Sequence, residues 1–313
     1  MHKICFIVNP RAGTPAGTQT MAQLIEGMVR PAGREYEIVY IQGPGDGARL
    51  SREATAKGCD VIAAVGGDGT VNAVAQGLVG TTAVLAIVPA GSGNGFARTL
   101  GIPLDHRAAL RLLLEPEIIA MDAGTINNRY FFNMAGIGLD AAISKSFEQY
   151  SRRGIGTYFL AGIKTYFAFK AAPVTIHYAG RTAAFEPLVL SIANGPQYGS
   201  GAIIAPRARI DDGMLDVCIL EKLPAWRAAA NVYRLFNGTI ERMRGYRSFQ
   251  TSALTIERPE PGLIHVDGEP CVEQARLEIE VLPGTLRVAV GEKAAARSAA
   301  SGGAGDRDCP ARR

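Results

Sequence analysis

The sequence predicts a doubly wound α/β domain followed by an antiparallel, β-rich domain carrying helical insertions. Three observations carry that expectation. The 313 residues are 47% hydrophobic and 20% charged, a balance that excludes a disordered or fibrous chain and leaves room for two domains. Up to about Asp122, short β-branched runs alternate with amphipathic segments. Beyond it the runs alternate in polarity and are punctuated by Pro, Gly and Asn.

The first strand is expected at 3–8 (KICFIV), ended by Asn9-Pro10 and too short for a signal-peptide core. Further strands are expected at 36–41, 61–65 and 84–88, with helices at 17–30, 46–58 and 70–79 between them. In the last of these helices Val71, Val74, Ala75, Leu78 and Val79 recur at helical spacing, and Thr70 is placed as its N-cap. Near-continuous apolar strands need cover on both faces, which selects a parallel sheet. The second domain reads as helices at 140–151 and 155–171 among strands at 187–194, 214–220, 249–257, 276–282 and 285–290. These give domains at 1–122 and 123–292. The tail 293–313, rich in Ala, Gly, Ser and Arg, has little to bury and is expected to be disordered.

Cys5, Cys59, Cys218, Cys271 and Cys309 are scattered and form no CxxC pair, and the four histidines are dispersed. A zinc site or disulfide framework is therefore disfavoured and a reducing cytoplasm is the natural home. A net charge of +4 is too mild to argue for nucleic acid. No window approaches the roughly 18 apolar residues of a membrane span.

The chemistry concentrates in loops that follow the strands of the first domain, where doubly wound sheets bind ligands. They are Asn9-Pro10-Arg11-Ala12-Gly13, Gly66-Gly67-Asp68-Gly69-Thr70 and Pro89-Ala90-Gly91-Ser92-Gly93-Asn94-Gly95. Glycines that open a helix let main-chain N–H groups approach phosphate oxygens, although they also simply make tight turns. The spacing is neither a P-loop nor a dinucleotide fingerprint.

VNPRAG at 8–13, GGDGTVN at 66–72, PAGSGNGFARTLGIP at 89–103, DDGMLDV at 211–217 and VDGEP at 266–270 together resemble the diacylglycerol kinase catalytic-domain family. That family includes the bacterial soluble lipid kinases and is related to sphingosine and ceramide kinases. The resemblance covers roughly 3–290. It implies an α/β nucleotide-binding domain, a C-terminal β-sandwich for the lipid, and a last strand, here 285–290, returning to the first domain. It implies an ATP site lined by Asn9, Gly66, Gly67, Asp68, Gly69, Thr70, Val71, Asn72, Gly91, Ser92 and Asn94. Asp267 becomes the general base, with Glu269 beside it. Asp68 and Asp122 become partners of the catalytic Mg²⁺, while Asp212, with main-chain oxygens near Arg209 and Met214, forms a structural Mg²⁺ site. Two departures stand out: Gly95 replaces an acid common in bacterial members, and Ile41 and Gln42 stand where a nucleotide-binding Thr is expected.

The residue types suit phosphoryl transfer, which needs positioning and charge neutralisation more than covalent help. As ordinary structure, Asp122 would end a strand, Asp212 would start a turn and Asp267-Gly268 would make a hairpin. The expected activity is ATP- and Mg²⁺-dependent phosphorylation of a diacylglycerol-like lipid in a cleft between the domains. The rivals are a sphingosine- or ceramide-type acceptor, an NAD kinase sharing GGDGT, and an inactive nucleotide-binding regulator. A lipid acceptor implies a cytoplasmic protein meeting the inner face of the membrane peripherally. Two stretches mix basic and aromatic residues as such contact requires: 145–170, and the set Trp226, Arg227, Arg234, Arg242, Arg244 and Arg247. Either could instead serve core or nucleotide. A homodimer is compatible with the sequence but nothing in it requires one.

Overall fold

The computed structural model describes residues 3–12, 15–148, 168–199 and 201–299. The chain divides into two compact units, Met1–Met121 with Pro283–Arg313, and Asp122–Leu282.

The first unit contains β1 (Lys3–Val8), α1 (Pro15–Val29), β2 (Glu35–Tyr40), α2 (Asp46–Ala56), β3 (Val61–Gly66), α3 (Asp68–Gln76), β4 (Val84–Pro89), α4 (Gly95–Thr99), α5 (His106–Leu114) and the start of β5 (Glu117–Ile126). Its parallel strands run in the order β2-β1-β3-β4. Every residue of β3 and β4 is buried, because helices cover both faces. Ile4, Phe6, Val8, Ala63 and Val65 share one core with Met21, Ile25 and Val29 of α1 and Leu110 and Leu113 of α5. The period-two alternation of a strand sends Cys5, Ile7, Ile62 and Ala64, all buried, to the opposite face, where α2 and α3 pack. Asp105 caps α5 by accepting the Ala108 N–H at 2.9 Å.

The second unit adds β6 (Arg129–Phe131), β7 (Met134–Gly138), α6 (Leu139–Glu148), β8 (Val174–Tyr178), β9 (Arg181–Phe185), β10 (Pro187–Ala193), β11 (Gln197–Gly199), β12 (Ala202–Ile203), β13 (Leu215–Glu221), α7 (Ala225–Asn231), β14 (Tyr246–Thr251), β15 (Ala253–Glu257), β16 (Gly262–Val266) and β17 (Glu269–Glu273). After it come β18 (Arg276–Val290) and α8 (Glu292–Ala299). One sheet, β14-β13-β10-β7-β16-β17, is antiparallel throughout. A second is built from β9, β8, β15 and the first part of β18. Ile137, Ile192, Val217 and Ile264 of the first meet Ile176, Ile256, Leu277 and Ile279 of the second, which makes the unit a β-sandwich. Each such aliphatic side chain contributes about 1.5–3 kcal/mol by leaving water.

Several expectations are corrected. Gly67, not Thr70, is the N-cap of α3, so the helix starts three residues before its apolar period does. The run 249–257 is two strands of different sheets that break at Ser252, where Thr251 and Ala253 bond to each other. The runs 276–282 and 285–290 are one strand. Its early residues pair with β15, and Arg287 and Val288 pair in parallel with Val84 and Leu85 of β4. The stretch from 293 begins in a helix: α8 buries Ala294 and Ala295, because a small face can sit close to the glycines at 101 and 291. Residues 300–313 lie outside the described residues, as do 149–167. Of the helix expected at 155–171, residues 168–171 are described; 168 is helical and 169–171 are not.

Candidate active site

The loops that follow β1, β3 and β4 are locked to one another. Asn9 Nδ2 donates to Thr70 Oγ1 at 2.9 Å, which ties the first loop to the first turn of α3. A Cβ built on Gly91 would lie 2.5 Å from Gly67 Cα, so the second and third loops meet main chain to main chain. Asn94, at φ 49°, closes the third loop on itself: Oδ1 accepts the Gly91 N–H at 3.0 Å and Nδ2 donates to the Gly91 carbonyl at 2.8 Å. Asp68 Oδ1 accepts the Phe96 N–H at 3.0 Å and so caps α4 from outside. This bond stands beside Gly95. The expected nucleotide residues are thus brought together on one platform. Because α3 opens without a side-chain cap, its first N–H groups are disposed to receive an anion. Gly69 and Ser92 are exposed on it, whereas the Val71 side chain is buried and only its main chain can serve. Asn72 turns its Oδ1 to Gln76. Arg98 lies within the third motif, which implies no role for it; its guanidinium donates to the Gly93 carbonyl at 3.2 Å and straps the third loop.

In the second unit, Asp267 and Gly268 form the two-residue turn between β16 and β17, at φ 48° and 88°. Two successive positive φ values are the signature of the tight hairpin that Asp-Gly favours. The Asp267 carboxylate also accepts three main-chain N–H groups: Phe132 at 2.8 Å, Asn133 at 2.9 Å and Met134 at 2.8 Å. Glu269 begins β17 and is exposed.

Behind this turn lies a group that the sequence did not reveal. His265 is buried and its Nε2 lies 3.1 Å from Asp140 Oδ2, to which the Tyr198 hydroxyl also donates at 3.1 Å. The Gly268 N–H donates to His265 Nδ1 at 3.3 Å, which couples the group to the turn. A side chain on Gly136 would collide with both the Asp140 carboxylate and the His265 ring. Burial and the Asp140 charge push the Tyr198 hydroxyl well above the usual tyrosine range. The available signal was the Gly136-x-Gly138-x-Asp140 spacing.

Asp122 is buried, and its Oδ2 accepts the Gly213 N–H at 2.7 Å while its own N–H donates to the Ile210 carbonyl. Asp212 Oδ1 accepts the Met214 N–H at 3.1 Å, and Arg209 pairs with Asp211 at 2.9 Å. Partial desolvation, then Asp122 and Asp211, raise the Asp212 carboxyl. Burial above all pushes Asp216 to about 6, with Asp212 adding to the rise. Accumulated negative charge on hard oxygens around a glycine turn suits a Mg²⁺ ion. Among the described residues no three His, Cys, Asp or Glu side chains could hold a metal, so an ion at Asp212 would draw on main-chain carbonyls and water. Asp68, in the first unit, could likewise supply one carboxylate to an ion that is otherwise held by phosphate oxygens.

A cavity of about 550 Å³ in the second unit, bordered by Phe185, Glu186, Lys222 and Arg247, contains none of these residues. Among the described residues no helix is long and apolar enough to cross a membrane.

Residues 3–126 match the family "Diacylglycerol kinase catalytic domain", and 133–290 match the "YegS C-terminal NAD kinase beta sandwich-like domain". A "probable lipid kinase YegS-like" of Chromohalobacter salexigens is 32% identical over 86% of this chain and 88% of its own. A relative of the same description in Pseudomonas aeruginosa is 33% identical over 88% and 91%. The crystal structure of "a putative diacylglycerol kinase" from Bacillus anthracis superposes with a TM-score of 0.79 at 27% identity, covering 94% of this chain and 96% of that one.

Proposed function

The chain belongs to the diacylglycerol kinase catalytic-domain family and is a lipid kinase; we propose that it transfers the γ-phosphate of ATP to the free hydroxyl of a diacylglycerol-like lipid, giving a phosphatidic-acid-type product. The observation that carries the reading is the interlocked platform of Asn9, Gly66–Asn72 and Gly91–Asn94 in a chain that matches the family across both units. The first unit, Met1–Met121 with the strand that returns to it, takes the nucleotide. The second, Asp122–Leu282, takes the lipid.

In this reading the start of α3 and the glycine main chain hold the ATP phosphates, and Asn9 keeps the first turn of α3 in place through Thr70. Asp267 receives the acceptor proton on its carboxylate as the lipid oxygen bonds to the γ-phosphorus and ADP departs. Glu269 is the neighbouring carboxylate that competes for this role. Magnesium supplies neutralisation of phosphate charge when bound; Asp68 would offer it a carboxylate in the first unit, and Asp212 with main-chain oxygens near Arg209 and Met214 would hold a structural ion in the second. The lipid is met at a membrane surface, by a cytoplasmic protein that touches the inner face peripherally.

The test is transfer of labelled γ-phosphate by purified protein to diacylglycerol, monoacylglycerol, sphingosine or ceramide in separate mixed micelles. NAD serves as a soluble acceptor, because the second unit's family is described as NAD kinase-like. Mg²⁺-dependent label in diacylglycerol supports the reading. Label in sphingosine, ceramide or NAD alone replaces the acceptor, and ATP binding without transfer to anything makes the chain a nucleotide-binding regulator.

A further inference from the structure

We infer that the segment from Leu223 to Arg244 is the surface by which this protein docks on an anionic lipid bilayer. This rests on the reading of the chain as a lipid kinase and gives that reading a place on the molecule. An apolar stripe at helical spacing ordinarily faces a core. Here Trp226, Ala229, Ala230 and Tyr233 fall at i, i+3, i+4 and i+7 along α7 and the 3₁₀ turn Val232–Leu235 after it, and none of the four is buried. Neither element buries a single residue. Trp226 is 67% exposed, Tyr233 51% and Phe236 50%, and they are three of the six large hydrophobic side chains exposed among the described residues. The segment is nevertheless seated: Leu223 and Leu235 pack on the cluster that contains Met134, Ile204 and Met243.

Charge identifies the partner. Between residues 221 and 247 stand Lys222, Arg227, Arg234, Arg242, Arg244 and Arg247 against only Glu221 and Glu241. That excess of four equals the formal net charge of the entire chain, +4, so the remaining residues balance. The two acids already face Arg247 and Arg207. The Arg227 guanidinium lies 4.9 Å from the Trp226 ring centre and Arg234 5.2 Å from Tyr233, so each ring carries a cation at its flank. Rings that enter the acyl boundary while arginines meet anionic headgroups are the chemistry of an interfacial anchor. Two copies of this patch set against each other would bring like charges together, which disfavours a twofold contact.

Trp226 is the chain's only tryptophan, so the full-length protein reports directly on its own patch. The probe is vesicles of phosphatidylcholine alone or mixed with phosphatidylglycerol. The expected result is a blue shift of tryptophan emission and quenching by brominated acyl chains with the mixed vesicles, both weakened by salt. Phe236→Ser with Tyr233→Ser should lower vesicle partitioning about tenfold, and Arg234→Gln about fivefold. Phosphate transfer to a micelle-dispersed acceptor should stay unchanged in these variants. The inference is overturned if emission does not move while the protein sediments with the vesicles. It fails equally if the variants sediment as the parent does, if sedimentation velocity shows the patch buried in a dimer, or if single-stranded DNA produces the shift and the vesicles do not. A retained shift in a protein that phosphorylates no lipid supports the docking surface and removes the lipid kinase reading alone.

Discussion

Two of the molecule's four Asp-Gly steps employ their carboxylates very differently. Asp68 opens α3 and gives one oxygen to a single main-chain donor, Phe96. Asp267 sits in a hairpin turn at positive φ and accepts from three consecutive main-chain donors, 132–134. Their glycine surroundings differ too. Around Asp68 the glycines permit contact between two loops, whereas Gly268 follows Asp267 through a turn that needs the left-handed region. The contrast teaches that Asp68 can be given up to a ligand with little cost to the fold. Asp267 holds the end of β7 and the β16–β17 turn together whatever else it does.

The largest effect should come from breaking the second arrangement. Asp267→Ala strands three N–H donors and is expected to cost about 3–5 kcal/mol in chemical denaturation, along with all transfer. Asp267→Asn keeps one acceptor oxygen and should lose less stability while transfer still falls to background. Full turnover by a folded Asn variant would take Asp267 out of the chemistry.

Next is Asp216. Its folded-state carboxyl is raised to about 6 from 3.8, so the folded protein holds the proton more tightly than the unfolded chain. Stability from this group is full below about pH 4 and is lost as pH rises through 6. In chelator, Asp216→Asn should abolish that decline and gain about 2–3 kcal/mol at neutral pH. A parent protein equally stable at both ends of the window would contradict the raised value.

Gly91→Ala forces a Cβ against Gly67 and should part the two loops, for about 1–2 kcal/mol of stability and roughly tenfold in ATP affinity. Unchanged nucleotide binding by calorimetry would separate the platform from the nucleotide. Smallest is Asp68→Ala, about 1 kcal/mol through the lost cap of α4, with Asp68→Asn near parental stability. If Asp68 serves a metal-bound phosphate, both variants should nonetheless lose Mg²⁺-dependent transfer, and a difference between them that tracked only melting temperature would restrict Asp68 to capping.

The same contrast governs what could be read from the chain. The strands β1, β3 and β4 are short, wholly or largely apolar and bounded by Gly or Asn-Pro, so their ends fall within a residue of expectation. The loops after them are local sequences and reveal their glycines directly. The second unit is built from strands such as VTIHY, RTAAF and EPCVE, whose polar faces mask the period and whose partners are distant. Asp140 and His265 are 125 residues apart, and no local pattern announces a pair at that distance. Asp122 shows the reverse limit: it lies in none of the five motifs and only the family resemblance implies a metal role, while burial and the Gly213 N–H reveal at least one ordinary structural duty.

β18 also imposes an order on synthesis. Arg287 donates to the carbonyl of Thr82 across 205 residues of chain, and its strand completes the parallel sheet beside β4. The half of the protein that leaves the ribosome first must therefore wait, one edge unpaired, until nearly all the rest has been translated. The sandwich made in between can mature as a self-contained insert. Premature termination before residue 286 would thus yield a finished second half attached to a first half with an open edge, a form prone to pair with other chains.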